Sequence, residues 1–301
     1  MHLKYLQDQT FTGDSIVSKC SMLITILKVR QIANVTIDIS KILEHEPTHN
    51  ERVMLEHFSI INSLVIDLEA LALFRLCMMV SPHTRVLEIG SYRGGSTVAI
   101  GHAAMLNQLD VFCIDIWSEY QQQSDFNHMD KAQLNDLRIL AEFIANTSFI
   151  KDRLFMLRGD AVSFSPILGC NLFSLVFVDG AHDYYSVVDD ILCALKVIKP
   201  GGILCGHDYH SAGIDVKKAV HDVIMLSETI TSKGLIEKTS IWYAVIEDPE
   251  YELLLVNTIK QMALGNFVEA LALLTEGSES VEQTKEIDCL RKGLEFEISL
   301  L

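Results

Sequence analysis

The chain is short of positive charge. Its Lys and Arg number 24 against 40 Asp and Glu, a formal net charge of -16 over 301 residues. A nucleic-acid surface needs clustered basic side chains, so this balance argues against DNA or RNA as a partner. An uninterrupted apolar span is missing too. The most apolar long stretch, Phe58 to Val80, contains Asp67, Glu69 and Arg75. Those charges disfavour a membrane span and favour a buried amphipathic helix. No Cys-x-x-Cys occurs, and the 7 cysteines lie scattered, several of them in apolar runs. They read as buried, reduced thiols in a reducing compartment. The opening Met-His-Leu-Lys-Tyr-Leu-Gln-Asp lacks the layout of a secretory signal. The expectation is a cytoplasmic protein that meets small molecules rather than membranes.

What the chain has is a core: 49% of its residues are apolar. The stretch that organises it is Val86-Leu87-Glu88-Ile89-Gly90-Ser91-Tyr92-Arg93-Gly94-Gly95-Ser96-Thr97. A short apolar run reads as a buried strand, an acid closes it, and a glycine-rich turn leads into a helix. Glycine lets a ligand approach main-chain N–H groups, and the helix start adds unpaired donors. Tyr92 stands where a dinucleotide binder would carry its second glycine.

The rest alternates. Leu55 to Val80 reads as one helix, stopped by Ser81-Pro82. Strands follow at Val111–Ile114, Leu154–Leu157, Leu172–Val178 and Ile203–Cys205, with a late one over Ser240–Glu247. Helices are expected over Leu137–Ala145, Tyr184–Val197 and Val216–Leu226. This pattern predicts an α/β fold with a doubly wound, mostly parallel sheet. Residues 1–54 form an N-terminal extension for docking or dimerisation, with Ser21–Val29 apolar and Val35, Ile37 and Ile39 alternating; strand and helix readings are both open there. Residues 55–249 are the main domain, and 250–301 a helical hairpin turning at Gly265-Asn266. The polar segment after Trp117, with Tyr120, Phe126 and His128, reads either as a lid or as a plain surface loop.

Glu88, Asp115, Asp160, Asp179 and Asp208 each fall at the carboxyl end of a predicted strand. In an open α/β sheet those ends face one crevice. Together with Asp115-Ile-Trp117, Gly159-Asp160, Val178-Asp-Gly-Ala-His-Asp-Tyr184, Lys199-Pro-Gly-Gly202 and His207-Asp208-Tyr209, the glycine-turn run resembles class I S-adenosylmethionine (SAM)-dependent methyltransferases. The most similar subgroup holds the metal-dependent macrolide sugar O-methyltransferases and cephalosporin-hydroxylase-type proteins. The resemblance covers roughly residues 55 to 247 and implies a Rossmann-like sheet of seven strands, a SAM cofactor and a small hydroxylated acceptor such as a sugar or glycoside.

Carried onto this sequence, the resemblance implies that Glu88, Gly90, Ser91, Gly94 and Ser96 hold the methionine end of SAM. Asp115 takes the ribose hydroxyls, with Trp117 beside it, and Asp160 and Ala161 meet the adenine. Simple capping is the other reading of Ser96 and Asp160. Asp179, His207 and Asp208 fall where the metal-dependent relatives hold Mg²⁺, yet His207 replaces an acid there, and imidazole suits other divalent metals better. A metal-free route would use His182 or His207 as general base, with Asp179 beside them. His182 also reads as a simple tie between its loop and the next helix. A homo-oligomer is expected. The competing reading is a non-catalytic scaffold that uses its terminal helices for protein interaction.

Overall fold

The computed structural model describes residues 38–117, 136–210, 214–277 and 285–299. Apart from Asp38, all of them belong to one compact unit, Ile39–Leu301. The readings made for Ser21–Val29, for Val35 and Ile37, and for Tyr120, Phe126 and His128 lie outside the described residues.

Seven described strands form one sheet in the order β3-β2-β1-β4-β5-β7-β6. They are β1 Arg85–Ile89, β2 Asp110–Asp115, β3 Leu154–Arg158, β4 Phe173–Val178, β5 Ile198–Gly206, β6 Lys233–Leu235 and β7 Trp242–Ile246. β1 to β5 run parallel, while β7 pairs antiparallel with both β5 and β6. Alternate residues of the central strands serve opposite layers. Val86, Leu175 and Phe177 join one core cluster, and Leu87, Val176 and Val178 join another. The first is covered by α1 (His49–Phe58), α2 (Asp67–Met79), α3 (Gly95–Asn107) and α4 (Asp136–Thr147). The second lies under α5 (Ala161–Leu168), α6 (Tyr184–Val197) and α7 (Ile214–Val220). β4 is buried at every position, which is why its sequence is a continuous apolar run rather than an alternating one.

The single helix expected over Leu55–Val80 is two helices. α1 starts earlier, at a capping box in which Thr48 N donates to Glu51 at 2.6 Å and Thr48 Oγ1 accepts from Glu51 N. The chain then breaks between Phe58 and Asp67. There Ser63 presses on the first residue of α3: a Cβ on Gly95 would come within 2.1 Å of Ser63 Oγ. This contact needs an irregular backbone, which periodicity cannot report. Ile39, for which strand and helix readings were both open, opens a 3₁₀ turn, Ile39–Lys41, and packs in the first core with Met54.

The C-terminal part holds α8 (Pro249–Ala263), α9 (Phe267–Gly277) and a third helix, α10 (Lys285–Ser299), beyond the expected hairpin. They share a small core of their own around Tyr251, Leu255 and Leu274. An ion pair between Lys260 and Asp189 and a hydrogen bond from the Tyr185 hydroxyl to the Ala263 carbonyl fasten α8 to α6. No described helix is long and apolar enough to cross a membrane.

Candidate active site

Because β1 to β5 are parallel, the acids that close them share one rim of the sheet. The strand order reverses between β1 and β4, and that is where a crevice opens in such folds. Gly90 turns the chain here with φ of 86°. A Cβ at this position would lie 2.1 Å from the Asp179 carbonyl oxygen, so the β1 and β4 loops meet backbone to backbone.

The rim acids do four different jobs. Glu88 lies fully buried beneath the turn. Its Oε2 accepts from Ser91 Oγ at 2.7 Å, from Thr97 Oγ1 and from Cys113 Sγ. Burial raises its pKa, against hydrogen bonds from Ser96, Thr97 and Ser91 that oppose the rise. Its Oε1 has no hydrogen-bond partner. Asp115, half-buried, holds the turn from the side: its Oδ2 accepts from Ser91 N at 2.8 Å and Tyr92 N at 2.7 Å, and its Oδ1 from Trp117 N at 2.6 Å. Trp117 packs its buried ring against Phe143 and donates from Nε1 to the Tyr92 carbonyl. Its indole therefore braces the turn. Asp160 caps α5, accepting from Ser163 N at 2.8 Å and Ser163 Oγ at 2.9 Å. These bonds hold its pKa below the ordinary value. Ala161, buried, follows as the first residue of that helix.

Asp179 and Asp208 come together with two histidines. His182 Nε2 stands 2.8 Å from Asp208 Oδ2. One ligand atom each from Asp179, His182 and Asp208 lies within 4.8 Å of the others, so these three could hold a divalent cation. Two carboxylate oxygens and an imidazole suit Mn²⁺, Fe²⁺ or Zn²⁺ better than Mg²⁺. A cavity of about 10 Å³ between them has room for one ion or water.

His207 differs from the expectation that made it a ligand or a base. It is 8% exposed, with Nδ1 at 3.1 Å from Asp208 Oδ1 and 3.5 Å from Asp179 Oδ1, and Nε2 at 2.9 Å from Glu69 Oε2. Burial opposes its charge, but the carboxylates outweigh burial and push its pKa up to about 12. Nδ1 faces two carboxylates, while Nε2 lies in charge contact with Glu69 without hydrogen-bond alignment; a charged ring has no free lone pair. His182 takes its place in the ligand group. Burial raises the Asp179 pKa, and nearby His207 only partly offsets this.

Glu69 was not visible as a site residue. From the sequence it was one of three charges that argued against a membrane span; its place in the first turn of a helix was its only other signal. Beside it an open cavity of about 520 Å³ is lined by Ile66, Glu69, His210, Lys238, Thr239 and Ser240.

Residues 87–209, which span the glycine turn and this cluster, match the family described as a methyltransferase domain. This part of the chain is a methyltransferase domain. A search of the curated proteins finds no significant match. Among solved structures, the methyltransferase is similar to the SAH-bound PaMTH1 methyltransferase of Podospora anserina, at 14% identity and a TM-score of 0.48, over 80% of this chain and 100% of that one. It is also similar to the O-methyltransferase TomG of Streptomyces achromogenes, at 17% identity and a TM-score of 0.44, over 68% and 93% of the two chains. These likenesses are too distant to bear on its activity.

The residues present fit the methyl donor. Glu88 leaves one buried oxygen unclaimed, an acceptor for a donor group such as an ammonium. An ammonium placed there would also counter the effect of burial on this carboxyl.

Proposed function

We propose that this methyltransferase acts on a hydroxyl oxygen of a small polyhydroxylated molecule, such as a sugar or glycoside. The observation that carries the reading is the group of Asp179, His182 and Asp208, gathered at the rim beside the glycine turn. A hydroxyl becomes a nucleophile only when its proton is removed, and this is the part of the rim that holds groups able to do so.

Bound SAM supplies an electrophilic methyl group on sulfur, and a divalent cation, when bound, lowers the pKa of a coordinated hydroxyl. The residues then have distinct tasks. Glu88 and Ser96, with the backbone of Gly90, Ser91 and Gly94, hold the methionine end of the donor. Asp115 accepts from the ribose hydroxyls, and Trp117 keeps the turn in place behind it. Asp160 and Ala161 meet the adenine at the start of α5. Asp179 and Asp208 orient the acceptor or the ion that carries it. When no ion is bound, His182, partly exposed and next to Asp208, takes the proton; with an ion bound it serves as a ligand instead. The open cavity beside Glu69 is wide enough to admit the rest of the acceptor. Orientation and proton removal account for most of the rate in such a transfer.

Calorimetry of the full chain with SAM, then with Mn²⁺ after chelation, tests the reading. We expect SAM to bind and Mn²⁺ to bind at one site that Asp208→Asn abolishes. Mn²⁺ binding that survives Asp208→Asn would remove this cluster from the mechanism.

A further inference from the structure

We propose that Glu69 is a positioning residue of this site, acting through His207 to aim Asp179 and Asp208. The inference rests on the reading of Asp179, His182 and Asp208 as the catalytic rim. It concerns a residue on a helix that precedes the first strand, outside every motif in the sequence.

Glu69 is buried, 4% exposed. An unpaired carboxylate there would be costly. Instead every side of it is engaged. Its Oε1 accepts from Ser240 N at 2.9 Å, and its Oε2 accepts from Ile66 N at 3.1 Å. The backbone of α2's own start and of the segment leading into β7 therefore fix where this carboxylate sits. It lies in the first turn of α2, where a negative charge is favoured. So fixed, its Oε2 stands 2.9 Å from His207 Nε2, a charge contact that lacks hydrogen-bond alignment.

The imidazole is rigid, so holding one nitrogen sets the direction of the other. Nδ1 then faces Asp208 Oδ1 at 3.1 Å and Asp179 Oδ1 at 3.5 Å. His207 thus spaces two carboxylates that would otherwise repel. It leaves Asp208 Oδ2 turned towards His182, at 2.8 Å. Without Glu69 the ring has no anchor on the far side, and both carboxylates lose their fixed direction. A residue that orients a ligand through one intermediate group commonly changes metal affinity by about 10–100-fold.

The test uses Glu69→Leu in the full chain, which leaves no acceptor facing His207, with three measurements. In histidine-labelled wild-type protein, the ring N–H signal lost in His207→Gln should be slow to exchange with water. In Glu69→Leu that signal should disappear or exchange fast while the backbone spectrum stays folded. Mn²⁺ affinity should fall about tenfold or more, with SAM affinity within about twofold of wild type because the hydrogen bonds of Glu69 go to Ile66 and Ser240 rather than to the glycine turn. A His207 ring N–H that exchanges freely in wild type overturns the proposal without any need for the variant to fold. So does a protected signal that persists in Glu69→Leu, or an unchanged Mn²⁺ affinity. If the wild type binds no Mn²⁺, the metal reading of the site fails by itself, and the ring signal still decides the role of Glu69.

Discussion

Replacing Asp115 by Asn changes one atom and little volume. The carboxylate accepts from Ser91 N, Tyr92 N and Trp117 N. An amide has one oxygen and one NH₂ group. Its best orientation keeps the oxygen on the Ser91 and Tyr92 donors and sets NH₂ against Trp117 N–H. One charge-assisted bond of 2.6 Å is then replaced by two facing donors. Bonds to a charged group contribute about 1.5–3 kcal/mol each. Trp117 is 1% exposed, so water does not reach its orphaned N–H, and the cost stays near the middle of that range, about 2 kcal/mol. The retained pair is also weakened by loss of the charge. Urea denaturation of the variant should therefore show a loss of about 2 kcal/mol, with the slope unchanged. If the same carboxylate holds the ribose, calorimetric affinity for SAM should fall about tenfold or more, since about 1.4 kcal/mol is a factor of ten. An unchanged denaturation midpoint would refute the bracing of the turn. Wild-type affinity in a destabilised variant would remove Asp115 from the ribose while leaving its structural role.

Two further outcomes follow from the same rim. Gly90→Ala forces a Cβ to 2.1 Å from the Asp179 carbonyl oxygen at a φ of 86°, so backbone must move; thermal denaturation should report a loss of about 2–4 kcal/mol, and wild-type stability would contradict the contact between the two loops. Glu88→Gln should fold nearly as well as wild type near neutral pH, because the buried carboxyl is already pushed towards its neutral form, yet bind SAM more weakly. The stability that neutral Glu88 gives is full below its ordinary pKa of 4.5 and is lost as pH rises towards the raised folded value. Glutamine has no such dependence, so stability measured against pH should shift in the variant's favour as pH rises. A shift the other way would show that Glu88 is ionised in the free protein.

Much of the rim was legible because it follows from local pattern. Each of β1 to β5 is an apolar run with an acid at or just after its carboxyl end, and parallel strands put those ends on one side whatever the order of pairing. Tyr184–Val197 is a helix at the residues its spacing predicts. The break after Phe58 was not legible, since apolar residues recur at helical spacing on both sides of it and the approach of Ser63 to Gly95 joins segments far apart in the chain. The antiparallel direction of β7 was equally hidden, for an apolar strand reads the same from either end.

By itself the sequence determined the five parallel strands, the glycine turn and the position of every acid along the rim, because periodicity and turn chemistry act over a few neighbouring residues. The tertiary structure alone decided what those acids do. Asp160 caps a helix, Glu88 lies beneath the turn, and His207 is charged because Glu69, Asp179 and Asp208 surround it. Charge state and hydrogen-bond partners depend on which groups are brought within a few ångströms, and that distance is set by packing between elements far apart in the chain.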